Sequence, residues 1–302
     1  MKAAFGQSWK VFAHAGALWL ERNAFVHAGS LAFYTLFSMA PIVIITVAVA
    51  GILFGEEAAR GEVVAQIEGF VGPEGALAVE NAVARSRVEV AGIIPTLAGL
   101  AALAVGATTV FAQMQISLNS IWGVAAKPQK SGIVVFVKNR VLSLAVVLAI
   151  GFILLVSLVL SVALRAVIRY AEFWIPLHGA VLTGAELALS FVVIALLFAV
   201  IFKILPDVHV AWQDVWTGAA MTAALFIAGR HLIARYLAYT APASTYGAAG
   251  SLVLILLWVY YSSLILFFGA AFTKARTLAS GKQVVPGRMA VRVRREIVEQ
   301  ED

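Results

Sequence analysis

The chain has no cysteine, and of its 302 residues only 13% are charged and five are histidine. The first absence excludes disulfide scaffolds, thiolate catalysis and cysteine-ligated zinc or iron–sulfur centres. The scarcity of charge excludes a soluble globule, whose surface needs roughly a quarter of its residues ionised. Histidines 14, 27, 178, 209 and 231 are scattered, and no H-x-x-x-H run supplies metal ligands. The one inner-loop cluster, Asp207-Val208-His209 with Asp214, reads more simply as helix capping by the two aspartates than as a metal site. A phosphate-binding loop, a dinucleotide-binding glycine turn and a nucleophile elbow are also lacking, so the expectation is a non-enzyme with no cofactor and no metal.

What is abundant is apolar surface. Hydrophobic residues make up 62% of the chain and its mean hydropathy is +0.95. A helix needs about 20 apolar residues to cross roughly 30 Å of hydrocarbon, and such runs recur six times, at about 30–55, 92–122, 141–164, 183–202, 213–237 and 248–273. The fold class expected is all-α: a polytopic membrane protein with a transmembrane domain over 28–274 and a cytoplasmic tail over 275–302. The first span should bend at Pro41. The tail, basic and then acidic from Gly281 onward, reads as mobile or weakly helical.

Residues 1–27 are too interrupted by Lys10, His14, Glu21 and Arg22 to be a signal peptide. Phe5, Trp9, Phe12, Gly16 and Trp19 fall on one side of a helical wheel, which gives an amphipathic helix lying along the inner leaflet. The alternative is a helix packed on the bundle. Residues 56–89 read as one or two short amphipathic helices outside the membrane, carrying seven glutamates.

The net charge of +6 is set by membrane orientation rather than by a nucleic-acid partner. With both termini inside, inner segments hold 15 Lys and Arg and outer segments hold 7, as retention of basic residues on the cytoplasmic side requires. The protein should therefore lie in a bacterial inner membrane with both ends cytoplasmic.

Polar residues within spans are costly and so point to function or to helix contacts. Ser30, Tyr34, Ser38 and Pro41 share one stripe of the first span, since their spacing of 4, 4 and 3 follows the helical period. Thr108, Gln115 and Asn119 make a stripe of the second, with Thr109, Gln113 and Ser120 beside it. Both stripes suit either a hydrated cavity or interhelical hydrogen bonding. Arg165, Arg169, Arg230 and Arg235 gather at the outer interface, where they suit a lipid headgroup or other anion, or simple snorkelling.

Several segments together resemble the YihY/BrkB family. They are Ala32 to Pro41 (AFYTLFSMAP), Gln113 to Trp122 with its LNSIW end, Leu205-Pro206-Asp207-Val208 followed by Trp212, Asp214 and Trp216, Tyr246 to Gly250, and Trp258 to Ala270. They occur in order over nearly the whole chain. The resemblance implies an inner-membrane protein of about six spans, some members of which go by the names of virulence or serum-resistance factor. Others carry the name ribonuclease BN, a misassignment consistent with this chain, which lacks the His/Asp-rich two-metal site such a nuclease needs. Many relatives also place an acid after the last Gly-Ala, where this chain has Ala271-Phe272, so coupling through that acid is not expected here.

The leading expectation is a transporter or lipid/amphiphile permease. Its cavity would lie between spans one, two, five and six, lined by Ser30, Tyr34, Ser38, Pro41, Gln113, Asn119, Tyr246 and Trp258. Membrane lipids and an amphiphilic or anionic substrate are the expected partners. The alternative is a non-transporting scaffold whose bundle is packed shut and whose outer loop recruits envelope proteins.

Overall fold

A computed structural model describes residues 2–54, 93–127, 179–240, 250–288 and 290–293. The expected span 141–164, the outer-loop helices within 56–89, and Arg165, Arg169 and Tyr246 lie outside the described residues.

Six helices dominate: α1 (Lys2–Glu21), α2 (Ala24–Phe54), α3 (Ile93–Trp122), α4 (Gly179–Ile204), α5 (Trp212–Thr240) and α6 (Gly250–Ala279). The last five have 26 to 31 residues each, about 40 Å or more at 1.5 Å per residue. The chain is continuously helical through Pro41. Pro95 sits in the first turn of α3, where a missing N–H removes no helical bond.

Two described stretches, Leu187–Ile204 and Ile255–Ala279, are long and apolar enough to cross a membrane. Only 17% of the first is buried. A core helix of a soluble protein hides its apolar surface against other elements; this one leaves Leu187 and Val192 outside, as a lipid-facing helix does.

The helix ends are specified locally. Asn23 takes a left-handed conformation at φ 52°, tolerable for asparagine, and breaks α1 from α2 while its carbonyl accepts from the amides of Val26 and His27. Gly123 at φ 73° ends α3. Gly281 at φ 76° ends α6 in a Schellman motif, in which the Gly281 amide donates to Leu278 and that of Lys282 to Thr277.

Helix α2 packs on α3 and α6, α4 on α5, α5 on α6, and α1 on α6. The α5–α6 seam depends on glycine. A Cβ at Gly218 would overlap Thr273, one at Gly269 would overlap Thr222, and one at Gly229 would overlap Tyr261. Positions rise along α5 as they fall along α6, so the helices are antiparallel. Thr222 turns its hydroxyl back to the Gly218 carbonyl and Thr273 to the Gly269 carbonyl. Two small-xxx-small motifs thus interlock, each threonine filling the notch left by the other helix's glycine. Phe202, Phe198, Phe226 and Trp258 continue the packing from α4 to α6, with successive ring centroids 5.8 to 6.1 Å apart.

Helix α1 takes the packed arrangement. Ala15 and Leu18 are buried, the Phe12 ring lies 5.1 Å from that of Phe268, and the Trp19 indole N–H donates to the Leu264 carbonyl at 3.2 Å. Trp9 and Leu20 remain exposed.

The expectation for the tail is overturned over residues 282–288 and 290–293, while the fold remains mostly helical. The chain forms four short strands, β1 (Val124–Ala126), β2 (Val208–His209), β3 (Val285–Pro286) and β4 (Ala290–Arg292). β4 pairs antiparallel with β1, and β3 with β2. Further bonds run from the Gly287 amide to the Asp207 carbonyl at 2.7 Å and from the Val293 amide to the Gly123 carbonyl at 2.9 Å. Charge patterning read the segment as mobile or weakly helical because each strand is two or three residues long and finds its partner far away in sequence. The segment is a strap across the end of the bundle where α1, α3, α4 and α6 finish and α5 begins.

Candidate functional site

The polar stripes of α2 and α3 are placed differently from one another. On α2, Ser38 is buried and Tyr34 is exposed, and both line a small groove against α3. The groove has a volume of about 260 Å³ and is completed by Phe33, Phe37, Gly106 and Thr109. Its character is apolar with hydroxyls at the edge. Ser30 is turned away, its hydroxyl donating to the Val26 carbonyl at 3.1 Å. Pro41 lies on the same helix.

On α3, the expected cavity residues serve another purpose. Asn119 reaches the loop between α4 and α5. Its Nδ2 donates to Asp207 Oδ2 at 2.9 Å, and its Oδ1 accepts from the Asp207 amide at 2.8 Å. Gln115 Nε2 adds a bond to the same carboxylate oxygen at 3.2 Å. Asn119 therefore does not line the groove: it holds the loop. Gln113 bonds along its own helix to Ser117 Oγ at 3.5 Å and is likewise absent from the groove lining. Trp258 packs on Phe226 of α5, away from Tyr34 and Ser38. Arg230 is half-buried on α5, and Arg235 lies further along that helix.

Asp207 is no helix cap. Its carboxylate joins α3 to the loop, while Asp214 occupies the first turn of α5, suited to the positive end of the helix dipole. Asp214 also receives the Lys282 ammonium of the strap at 2.8 Å. Lys203 donates to the Val210 carbonyl at 2.6 Å and lies 5.2 Å from the Trp212 ring centre. Among the described residues no group of three or more His, Cys, Asp or Glu could hold a metal ion.

A second and larger feature lies at the strap end and was not found by reading polar stripes. It is a cleft of about 550 Å³ whose lining includes Glu21, Arg22, Trp122, Gly123, Lys274 and Arg292. Arg22 and Lys274 both belong to the 15 basic residues of the inner segments, and nothing in either one's sequence neighbourhood brings it near the other.

The family model described as "Virulence factor BrkB" matches residues 18–292. Curated relatives named "UPF0761 membrane protein" include one from Tolumonas auensis, 32% identical over 95 residues, covering 29% of this chain and 32% of that protein. Another, from Alkalilimnicola ehrlichii, is 30% identical over 209 residues, covering 66% of this chain and 44% of its own length. One from Pseudoalteromonas translucida is 26% identical over 253 residues, covering 82% and 79%. The first two matches span a third to under a half of the relatives' lengths. No solved structure matches the chain. The Asn119–Asp207 clasp, the Gly269 seam and the strap all fall within the matched region, and the chain belongs to the YihY/BrkB family of bacterial membrane proteins.

Proposed function

We propose that the protein is an inner-membrane permease for lipids or similar amphiphiles, and that the α2–α3 groove seats an acyl chain on its way across. The observation that carries this reading is the groove itself. It is an apolar trough lined by Phe33 and Phe37, with the Tyr34 and Ser38 hydroxyls available to a polar head. Ordered lipid tails require such an apolar surface, and a few placed polar groups fix the head.

Six crossings with both termini cytoplasmic fit the way the elements meet. The ends at Glu21, Trp122, Ile204, Trp212 and Ala279 gather at one end of the bundle, together with Arg22, Lys274, Lys282 and Arg292. That is the basic side expected to face the cytoplasm. α3 and α4 both run toward this end, which supports the apolar run 141–164 as the intervening crossing. The exposed Trp9 and Leu20 of α1 would lie in the inner leaflet's interface. The protein acts without catalysis, cofactor or nucleic acid in this reading.

The scaffolding alternative draws support from the α5–α6 seam, where the glycine notches leave no room for cargo. Flux of fluorescent phospholipid in reconstituted vesicles separates the two. Ser38→Leu fills the groove and should lower flux to the protein-free background, with Tyr34→Phe and Arg230→Ala intermediate. Equal flux in all three variants and the parent would remove the groove from the pathway; no flux in the parent would favour the scaffold.

A further inference from the structure

The strap-end cleft has the chemistry of an anion site. Gly123 forms its floor: a Cβ there would lie 3.6 and 3.7 Å from the two terminal nitrogens of Arg22 and 3.7 Å from Lys274 Nζ. Two cations therefore converge on one point from α1 and α6. Arg292 of β4 completes the lining, against a single acid, Glu21.

Arg22 and Lys274 are incompletely satisfied, whereas the Arg292 guanidinium already donates to the Val284 carbonyl and the Gln283 side chain. Lys274 is buried and uses one of its three donors, on the Ile121 carbonyl at 2.8 Å. Arg22 makes an ion pair with Glu21 at 3.6 Å, beyond hydrogen-bond length, and Glu21 is largely exposed. Its Nε is buried without a partner. Trp122, which also lines the cleft and is only 2% exposed, has an indole N–H with no partner either. Burying donors without acceptors is costly, and buried like charges repel. An anion with several acceptor oxygens would relieve both at once, and phosphate geometry suits a guanidinium beside a point-charge ammonium.

We propose that this cleft binds a phosphomonoester carried on a lipid head, or free phosphate, through Arg22, Lys274 and the Trp122 indole N–H, with Arg292 at its edge. The position at a helix-end junction closed by the strap makes the site distinct from the α2–α3 groove, and the proposal does not rest on transport. When phosphate enters, it bridges α1, the end of α3 and α6, so occupancy would stiffen the strap end.

The test uses the full chain in neutral detergent, titrated separately with inorganic phosphate, short-chain phosphatidate and short-chain phosphatidylcholine, and read by calorimetry. The parent should bind phosphatidate saturably. Comparable binding of inorganic phosphate would identify free phosphate as sufficient, and much tighter phosphatidate binding would identify the lipid. Arg22→Gln should weaken either by about tenfold, the loss of one charge-assisted contact. Glu21→Gln, which removes the competing negative charge at an exposed position, should strengthen it, a change that damage to folding would not produce. Absence of saturable binding in the parent, phosphatidylcholine binding as tight as phosphatidate, or unchanged affinity in both variants would overturn the proposal.

Discussion

Replacing Asn119 by alanine tests whether the clasp between α3 and the 205–209 loop holds the bundle's end together. The substitution removes two bonds, at 2.8 and 2.9 Å, in a half-buried setting. The carboxylate retains Gln115. A lost bond between neutral groups costs about 0.5–1.5 kcal/mol and one to a charged acceptor about 1.5–3 kcal/mol, so a combined loss of about 3 kcal/mol is expected. For a chain of this size that lowers Tm by about 6–12 °C, read by thermal unfolding of the purified protein in detergent. Asn119→Asp should be worse, because it sets two carboxylates against each other. Exchanging the pair, Asn119→Asp with Asp207→Asn, lets the new carboxylate at 119 accept from both the backbone amide and the new side-chain amide at 207, and should recover most of the loss. An alanine variant within about 1 °C of the parent would refute the clasp's role, given the 3 kcal/mol expected from it. So would an exchange no better than the worse single variant, since a true pair shows coupling energy.

Two other outcomes follow from the packing and the topology. Gly269→Ala places a methyl group into Thr222 and Phe202, so despite a helix-propensity gain of about 1 kcal/mol it should lower Tm by several degrees, because overpacking costs about 1–3 kcal/mol; Gly184→Ala, with open space around it, should not lower it. Because the chain has no cysteine, single-cysteine reporters are clean: Lys282→Cys should be labelled only after the inner membrane is permeabilised, and Gly75→Cys from the periplasmic side without it, and the reverse pattern would invert the proposed orientation.

The apolar runs were legible in the sequence because bilayer thickness sets a length that composition alone can meet, and five of the long helices lie where such runs were read. Side-chain destinations were less legible. The helical period placed Gln115 and Asn119 on one face of α3 correctly, but periodicity does not say what that face meets. Asp207 supplied half of the answer, standing within Leu205-Pro206-Asp207-Val208, and was read as a cap because helix capping is the commonest local use of an aspartate. The strap was hidden for a different reason: its strands are too short for alternation to register, and their partners lie 76 or more residues away in the chain. Gly218-xxx-Thr222 and Gly269-xxx-Thr273 carried a readable signal, since small residues four apart mark close helix approach.

The strap gives the basic end of the bundle its order. Left to themselves, Arg22, Lys274 and Lys282 would repel one another and favour splayed helix ends. Instead β4 pairs with β1 immediately after Gly123, and Lys282 is drawn to Asp214, so the C-terminal segment closes over the ends of α3 and α5 from one side. The Lys282–Asp214 pair joins an exposed ammonium to a buried carboxylate. Its value is positional, since it fixes the start of a segment whose ladder bonds then align Arg292 with the cleft. Because β3 binds the Asp207 loop and β4 the end of α3, any motion of α4 and α5 against α3 must break ladder bonds, stretch the strap or carry it along. A permease that alternates between open and closed forms by such a motion would therefore move its anion cleft and its α3–loop clasp together, and a cross-link fixing β4 to β1 should arrest it.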